Sequence, residues 1–169
     1  MKRLIIYTLE IIICFLFQST MYDFISLAEI MPNVLLILVV SSAYMRGRMT
    51  GLLLGLFCGL LLDLSSGAYV VGLYALMYML IGYFMGYTHK VYSNEDYTLP
   101  IIIIAVSDLI YGFFFYVFEF LLRGRLNVFY YFRRIILPEI IYTVAVSIIL
   151  YKLLHMINNH LDRRQDKEA

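Results

Sequence analysis

Charged residues are scarce in this 169-residue chain, and their scarcity excludes whole classes of protein. Asp, Glu, Lys and Arg make up 15% of the residues and hydrophobic residues 63%, whereas a soluble domain is about 25% charged. Mean hydropathy is +0.84. The basic residues form short clusters at the ends of apolar segments and no basic face, so nucleic-acid binding is not expected. The composition predicts an all-α integral membrane protein.

Cysteine and tryptophan are also rare or missing. The two cysteines, Cys14 and Cys58, lie inside apolar segments, which predicts small buried residues and neither a disulfide framework nor a metal site. Tryptophan is absent, but tyrosines near the segment ends can anchor the protein at the membrane surface.

Motifs that carry catalysis are missing as well. The chain has no G-x-S-x-G, no H-E-x-x-H and no phosphate-cradling glycine loop. Its histidines, His89, His155 and His160, lie near segment ends or in the tail. We predict no enzyme and no cofactor. Intramembrane acid catalysis by Asp63 and Asp108 is disfavoured because nothing in the sequence activates a nucleophile.

Six apolar segments follow one another along the chain, and most of them are long enough to be membrane helices. They predict one transmembrane domain over residues 1–157 and a polar tail over 158–169, which is either a cytoplasmic helix extension or disordered. The first apolar segment is interpreted as an uncleaved helix, because it lacks a small-residue cleavage site. Two short spans in succession suggest tilted, re-entrant or locally thinned geometry. The six predicted spans are residues 4–21, 32–45, 50–62, 69–87, 99–122 and 138–156.

The distribution of lysine and arginine predicts both termini on the cytoplasmic side of a bacterial membrane. A six-span arrangement places these basic residues inside: Lys2, Arg3, Arg46, Arg48, Lys90, Lys152, Arg163, Arg164 and Lys167. It leaves Arg123, Arg125, Arg133 and Arg134 outside. This outer cluster runs against the rule, so a five-span arrangement stays open.

Glycines recur at short intervals in residues 45–86, the stretch around which the chain is organised. Gly51, Gly55 and Gly59 are four residues apart and therefore share one helix face. Gly82 and Gly86 repeat that spacing in the next segment. Small residues at this spacing let membrane helices approach closely, so the pattern predicts a tight helical hairpin.

Acidic residues within apolar segments are costly, and each is a candidate functional residue. Asp108 is the deepest of them, near the middle of its span, and is either a proton, cation or partner site or a buried hydrogen-bonded carboxyl. Asp63 precedes a small-residue turn, where it can cap the following helix. The remaining three are Glu10, Glu119 and Glu139.

An ordered set of motifs resembles the rod shape-determining protein MreD family of bacterial cell-wall elongation. The set comprises Pro32 and Asn33, then Arg46, Gly47 and Arg48, then the glycines leading to Asp63, and finally Gly67 and Gly72. Size, six spans and Pro138 at the start of the last span agree with it. Family members often have an asparagine shortly after that proline, whereas this chain reads Glu139-Ile-Ile-Tyr142-Thr143.

This resemblance implies a non-enzymatic membrane scaffold. Such proteins bind MreC, and through it connect to a class B penicillin-binding transpeptidase, to RodA and to MreB filaments. The implied fold is similar to the six-helix S-components of energy-coupling-factor transporters. The candidate partner contacts are Asp108, Arg123, Arg125, Arg133 and Arg134, although these arginines are equally suited to lipid phosphates. The alternative function is a vitamin-type small-solute S-component that binds its ligand with Asp63 and Asp108.

Overall fold

The computed structural model describes residues 2–24, 31–66, 72–93, 97–118 and 128–168. These ranges are helical throughout apart from short connections and contain no β-strand, which confirms the predicted all-α class. The helices are α1 (Lys2–Phe24), α2 (Val34–Arg46), α3 (Arg48–Ser66), α4 (Leu73–Met85), α5 (Thr98–Tyr116), α6 (Val128–Tyr131) and α7 (Leu137–Glu168). A 3₁₀ turn, Gly86–Val91, extends α4, and a π-helical turn, Phe132–Ile136, joins α6 to α7.

Three helical segments in the described part of the chain are long and apolar enough to cross a membrane. They are Arg48–Ser65, Thr98–Tyr116 and Phe132–His160. Shorter apolar segments lie in α1 and α2, at Ile5–Thr20 and Val34–Arg46. The chain is therefore a membrane protein whose helices differ markedly in length.

The helix bounds differ from several of the predicted spans. The third segment is predicted over 50–62, but α3 has 19 residues and ends only at Ser66. The fourth segment is predicted over 69–87, whereas α4 has 13 residues and ends at Met85, where the backbone tightens into the 3₁₀ turn. The polar residues after 158 continue the helix α7 to Glu168.

Helix α2 forms the axis of the bundle. Every residue from Val34 to Met45 is buried, and the helix packs against α1, α3, α4, α5 and α7. A largely apolar helix in a membrane protein is either enclosed by protein or surrounded by lipid. The burial of α2 along its whole length shows that protein encloses it, so the core of the bundle is built around α2.

The last helical segment passes through Pro138 instead of beginning there. Proline lacks the N–H that would bond the carbonyl four residues earlier, and its ring crowds that carbonyl. The π-helical turn Phe132–Ile136 lies immediately before it, and a widened turn relieves such crowding. Helical structure therefore begins before the proline, at Val128.

Candidate functional site

The hairpin of α3 and α4 packs backbone against backbone. A Cβ atom added to Gly51 would lie 2.8 Å from the carbonyl carbon of Gly82, and one added to Gly82 would lie 2.7 Å from the carbonyl carbon of Gly51. A Cβ on Gly55 would lie 2.6 Å from the carbonyl carbon of Tyr78. Side-chain atoms do not occur at such separations, so these positions have room for glycine only.

The same contact continues toward both ends of the hairpin. A Cβ on Gly59 would lie 2.6 Å from the backbone nitrogen of Ala75, and a Cβ on Gly86 would lie 2.6 Å from the backbone nitrogen of Arg48. Gly51, Gly55 and Gly59 thus form the face of α3 that is applied to α4. Of all helix pairs in the bundle, α3 and α4 share the most extensive contact.

Asp63 closes the far end of this hairpin. Its side chain is buried, and it accepts hydrogen bonds from the backbone N–H groups of Ala75, at 2.9 Å, and Tyr74, at 3.3 Å. These N–H groups belong to the first turn of α4, where helical donors otherwise lack partners. Gly72, at φ +95°, precedes that turn. Asp63 therefore caps α4 from the neighbouring helix. The predicted motif residue Gly67 lies outside the described residues.

Gly47 alone joins α2 to α3 at the opposite end. Its φ is +93°, a conformation that glycine adopts without steric cost. Its N–H donates to the carbonyl of Ala43 at 2.8 Å. The ring nitrogen Nδ1 of His89 lies 2.9 Å from the carbonyl oxygen of Tyr44, which ties the 3₁₀ turn after α4 to the end of α2.

The two arginines beside Gly47 each face a tyrosine ring. The guanidinium carbon of Arg46 lies 5.7 Å from the ring centre of Tyr7 in α1, and that of Arg48 lies 4.4 Å from the ring centre of Tyr87. Both distances are within the range of cation–π attraction. These residues define the arginine end of the bundle.

Asn33 connects three helices through one side chain and one backbone group. Its Oδ1 accepts from the backbone N–H of Leu36, at 3.3 Å, and so caps α2. The same oxygen accepts from the hydroxyl of Tyr78 in α4. Its backbone N–H donates to Oγ1 of Thr143 in α7, at 3.2 Å. Thr143 lies in the stretch where this chain departs from the family's sequence pattern.

Asp108 completes a buried polar cluster, which consists of Asn33, Tyr78, Asp108 and Thr143. Its carboxylate lies beside Thr143 and Asn33 and interacts electrostatically with Glu139. Only 2% of its surface is exposed, and neither oxygen accepts a hydrogen bond of ordinary geometry from the residues that the structure describes. Asp108 is thus enclosed within the described bundle, and its contact with a partner stays a prediction.

The predicted outer arginines are described only in part. Arg133 and Arg134 lie on the π-helical turn with exposed side chains, and Arg134 donates to the hydroxyl of Tyr130 at 2.8 Å. Their exposure leaves both guanidinium groups accessible from outside the bundle. Arg123 and Arg125 lie outside the described residues.

Sequence reasoning missed Tyr78 and Thr143, the partners of Asn33. A signal was present, since each is a hydroxyl-bearing residue within an otherwise apolar stretch. It also missed an apolar groove of about 600 Å³ between α1 and α3. Neither Asp63 nor Asp108 lines that groove.

The fold and these contacts define a helical membrane protein built on a glycine-packed hairpin. The family model described as "rod shape-determining protein MreD" matches residues 1–159. No curated protein and no solved structure shows a significant match to the chain. The match covers nearly all of the 169 residues, so the chain belongs to the MreD family, whose role is in rod-shape determination.

Proposed function

We propose that this protein is a non-enzymatic scaffold of the bacterial elongation machinery, which binds MreC and supports peptidoglycan synthesis at the cell cylinder. RodA, a class B penicillin-binding transpeptidase and MreB are its indirect partners in this proposal. The family match over residues 1–159 is the observation that carries it. The proposal adds the partners and the process to the family's role in cell shape.

The architecture is suited to scaffolding because the bundle is held at fixed spacing by its own contacts. Backbone packing fixes α3 against α4, and Asn33 fixes α2 relative to α4 and α7. Helical membrane domains with short connections contact partners through lateral faces and segment ends. The exposed Arg133 and Arg134 supply charge at one such end. They are the described part of the proposed contact, which also includes Arg123 and Arg125, outside the described residues.

The proposed topology has six spans in the cytoplasmic membrane, with both termini inside. In this proposal the three long apolar segments are three of the spans, and α1, α2 and α4 are the other three. The side of the membrane predicted to be cytoplasmic carries more lysine and arginine than the opposite side, and this excess supports the orientation. Labelling of single cysteines introduced at Arg125 and Glu95 tests it. Access to both from one side of the membrane contradicts six spans.

Partner capture tests the function. A C-terminally tagged protein is crosslinked in native membranes and purified, and co-isolated proteins are identified by mass spectrometry. We expect a single-span coiled-coil protein together with cell-wall synthases. Recovery of a membrane coupling subunit with paired ATPases instead overturns the proposal and assigns the chain to the vitamin-transporter class.

A second capture tests the outer arginines. The variant carries Ala at Arg123, Arg125, Arg133 and Arg134, and the matched control carries Ala at Arg163 and Arg164 in the tail. We expect the first variant to lose most of the captured partner and cells to lose rod shape, with the control unaffected. Unchanged capture and shape in the first variant reject these arginines as the contact.

The alternative, a small-solute S-component, needs a ligand pocket that Asp63 and Asp108 line. Asp63 already accepts two backbone hydrogen bonds, and the groove between α1 and α3 contains neither residue. No described observation favours this function over the scaffold.

A further inference from the structure

A long groove runs along the outside of the bundle between α1 and α3. It has a volume of about 600 Å³, within the roughly 300–1,000 Å³ of sites that bind small molecules. Its α1 wall runs from Tyr7 to Ile12, and its longer α3 wall runs from Met49 to Leu61, which corresponds to about 18 Å at 1.5 Å per residue. That length matches one leaflet of a hydrocarbon core about 30 Å thick. A transmembrane helix of a partner needs a groove about twice as long.

The groove changes character along its length. Its hydroxyl-bearing lining residues, Tyr7, Thr8 and Thr50, lie near the arginine end. Farther along, the walls are apolar and include Ile11, Leu53, Leu54, Phe57 and Leu61. A molecule that fills the groove is therefore hydrocarbon along most of its length, and the hydroxyl groups of the lining lie toward the arginine end only.

The walls of the groove are unsuited to close helix packing. Helices associate in membranes where small residues let their backbones approach. The glycines of α3, at Gly51, Gly55 and Gly59, all face α4 and are already in contact with it. Long side chains form the groove wall, and Phe57 and Leu53 are each more than half exposed. A flexible chain follows such an irregular wall better than a rigid helix does.

Positive charge is concentrated where the groove has its polar end. Arg46 lies over the ring of Tyr7, a lining residue, whereas Arg48 lies over the ring of Tyr87 on the α4 side of α3. Glu10 in α1 interacts electrostatically with Arg46 and offsets part of this charge.

We infer that the α1–α3 groove binds one acyl chain of an anionic phospholipid, with the lipid phosphate held beside Arg46 at the arginine end. The match in length, the polar-to-apolar gradient and the charge at the polar end each point to this occupant. The site lies beyond the proposed scaffold function, because it requires no protein partner. It would make the protein sensitive to the anionic lipid content of its membrane.

The absence of tryptophan from the chain allows a direct test. Phe57→Trp places a single indole in the groove, and Val106→Trp places one at a similar distance along α5 on a surface that is also about half exposed. Each variant of the full chain is reconstituted in phosphatidylcholine vesicles that contain brominated phosphatidylglycerol or brominated phosphatidylcholine. Quenching of tryptophan, excited where tyrosine does not absorb, measures the relative affinity of each lipid for each surface.

We expect brominated phosphatidylglycerol to quench the Phe57→Trp protein with an apparent affinity about five-fold above that of phosphatidylcholine. This is the preference that about 1 kcal/mol from one basic residue corresponds to. Val106→Trp should show no preference. Arg46→Gln in the Phe57→Trp background should abolish the preference, and Glu10→Gln should increase it.

Two results overturn the inference. One is equal quenching of the Phe57→Trp protein by both lipids, which means that the groove is ordinary lipid-facing surface. The other is protection of that tryptophan from both lipids, which means that a protein segment or a second copy occupies the groove. Leu53→Trp repeats the measurement with the reporter nearer the arginine end, in case Phe57→Trp fails to fold.

Discussion

The α3–α4 hairpin and the α5–α7 half of the bundle solve one packing problem in two ways. In the hairpin, glycines bring the backbones together, and a Cβ on Gly55 would lie 2.6 Å from a backbone carbon. In the other half, the three atoms nearest to a Cβ on Gly112 of α5 would all belong to the side chain of Ile136, the nearest at 3.2 Å. A hydrogen bond from the backbone N–H of Asn33 to the side chain of Thr143 links α7 to the core. Helices in a lipid bilayer gain no hydrophobic free energy by associating with one another. Close packing and buried polar contacts therefore have to stabilise their association.

The contrast implies that the two halves tolerate different changes. Added volume is excluded from the hairpin, because a backbone cannot rotate out of the way. The α5–α7 half accommodates volume, because an isoleucine can adopt another rotamer, but it depends on polar partners.

Thermal unfolding can be followed by thiol labelling, since both Cys14 and Cys58 are buried free thiols.

The largest effect is expected from adding one methyl group to the hairpin. Gly55→Ala places its Cβ against the backbone of Tyr78, and such overpacking should cost about 3 kcal/mol or more of unfolding free energy. Gly112→Ala is the matched control. It should change stability by less than about 1 kcal/mol, because alanine's higher helix propensity offsets the contact with Ile136. Equal losses in the two variants would remove the distinction between the halves.

The next effect tests the buried polar cluster. Asn33→Ala removes the acceptor used by Leu36 and Tyr78 and leaves buried donors without a partner, which should cost about 2–3 kcal/mol. Tyr78→Phe removes only the hydroxyl and should cost about 1 kcal/mol. Thiol-labelling melts of both variants in the same detergent give the comparison. A smaller loss for Asn33→Ala than for Tyr78→Phe would contradict the linking role of Asn33.

A moderate effect is expected at the cap of α4. Asp63→Ala leaves the N–H groups of Tyr74 and Ala75 without their acceptor and should cost about 1–2 kcal/mol. Asp63→Asn keeps one acceptor oxygen and should lose less. Hydrogen exchange of the first turn of α4 measures the effect locally, and unchanged protection in Asp63→Ala would show that the cap is dispensable.

The smallest effect is expected at Asp108 and has the opposite sign. Asp108→Asn removes a buried carboxylate that lacks an ordinary hydrogen bond and interacts with another acid, Glu139. Because two acidic groups buried close together are unfavourable, replacing one of them by an amide should raise stability by about 1 kcal/mol. Asp108→Leu removes both the charge and the polarity of the side chain. Comparison with Asp108→Asn, which removes the charge alone, separates the two effects. Destabilisation by Asp108→Asn would instead indicate that the carboxylate has a favourable partner.

Local features of the fold could be predicted from the sequence, because helix geometry alone determines them. The four-residue spacing places Gly51, Gly55 and Gly59 on one face whatever surrounds the helix. The capping of a following helix by Asp63 could likewise be anticipated from the turn beside it. The end of α3 could not be predicted so well. The polar residue Asp63 suggested that α3 ends near residue 62. Its carboxylate instead accepts a hydrogen bond from the backbone of α4, and α3 continues to Ser66.

The buried polar cluster depends on positions that are far apart in the chain. Asn33 and Thr143 are 110 residues apart, and their pairing follows from how α2, α4 and α7 pack together. No periodicity within one segment carries that information. The passage of helical structure through Pro138 was similarly hidden, because it depends on a π-helical turn that relieves the clash.

The burial and length of α2 have a consequence for how the protein enters the bilayer. At 13 residues α2 is about 20 Å long, shorter than a hydrocarbon core of about 30 Å, and its surface is matched to neighbouring helices. The single residue Gly47 separates it from α3, which is long enough to cross. Newly made α2 would thus leave the translocation channel as one unit with α3, and a nascent chain halted before α3 would hold α2 only weakly in the membrane.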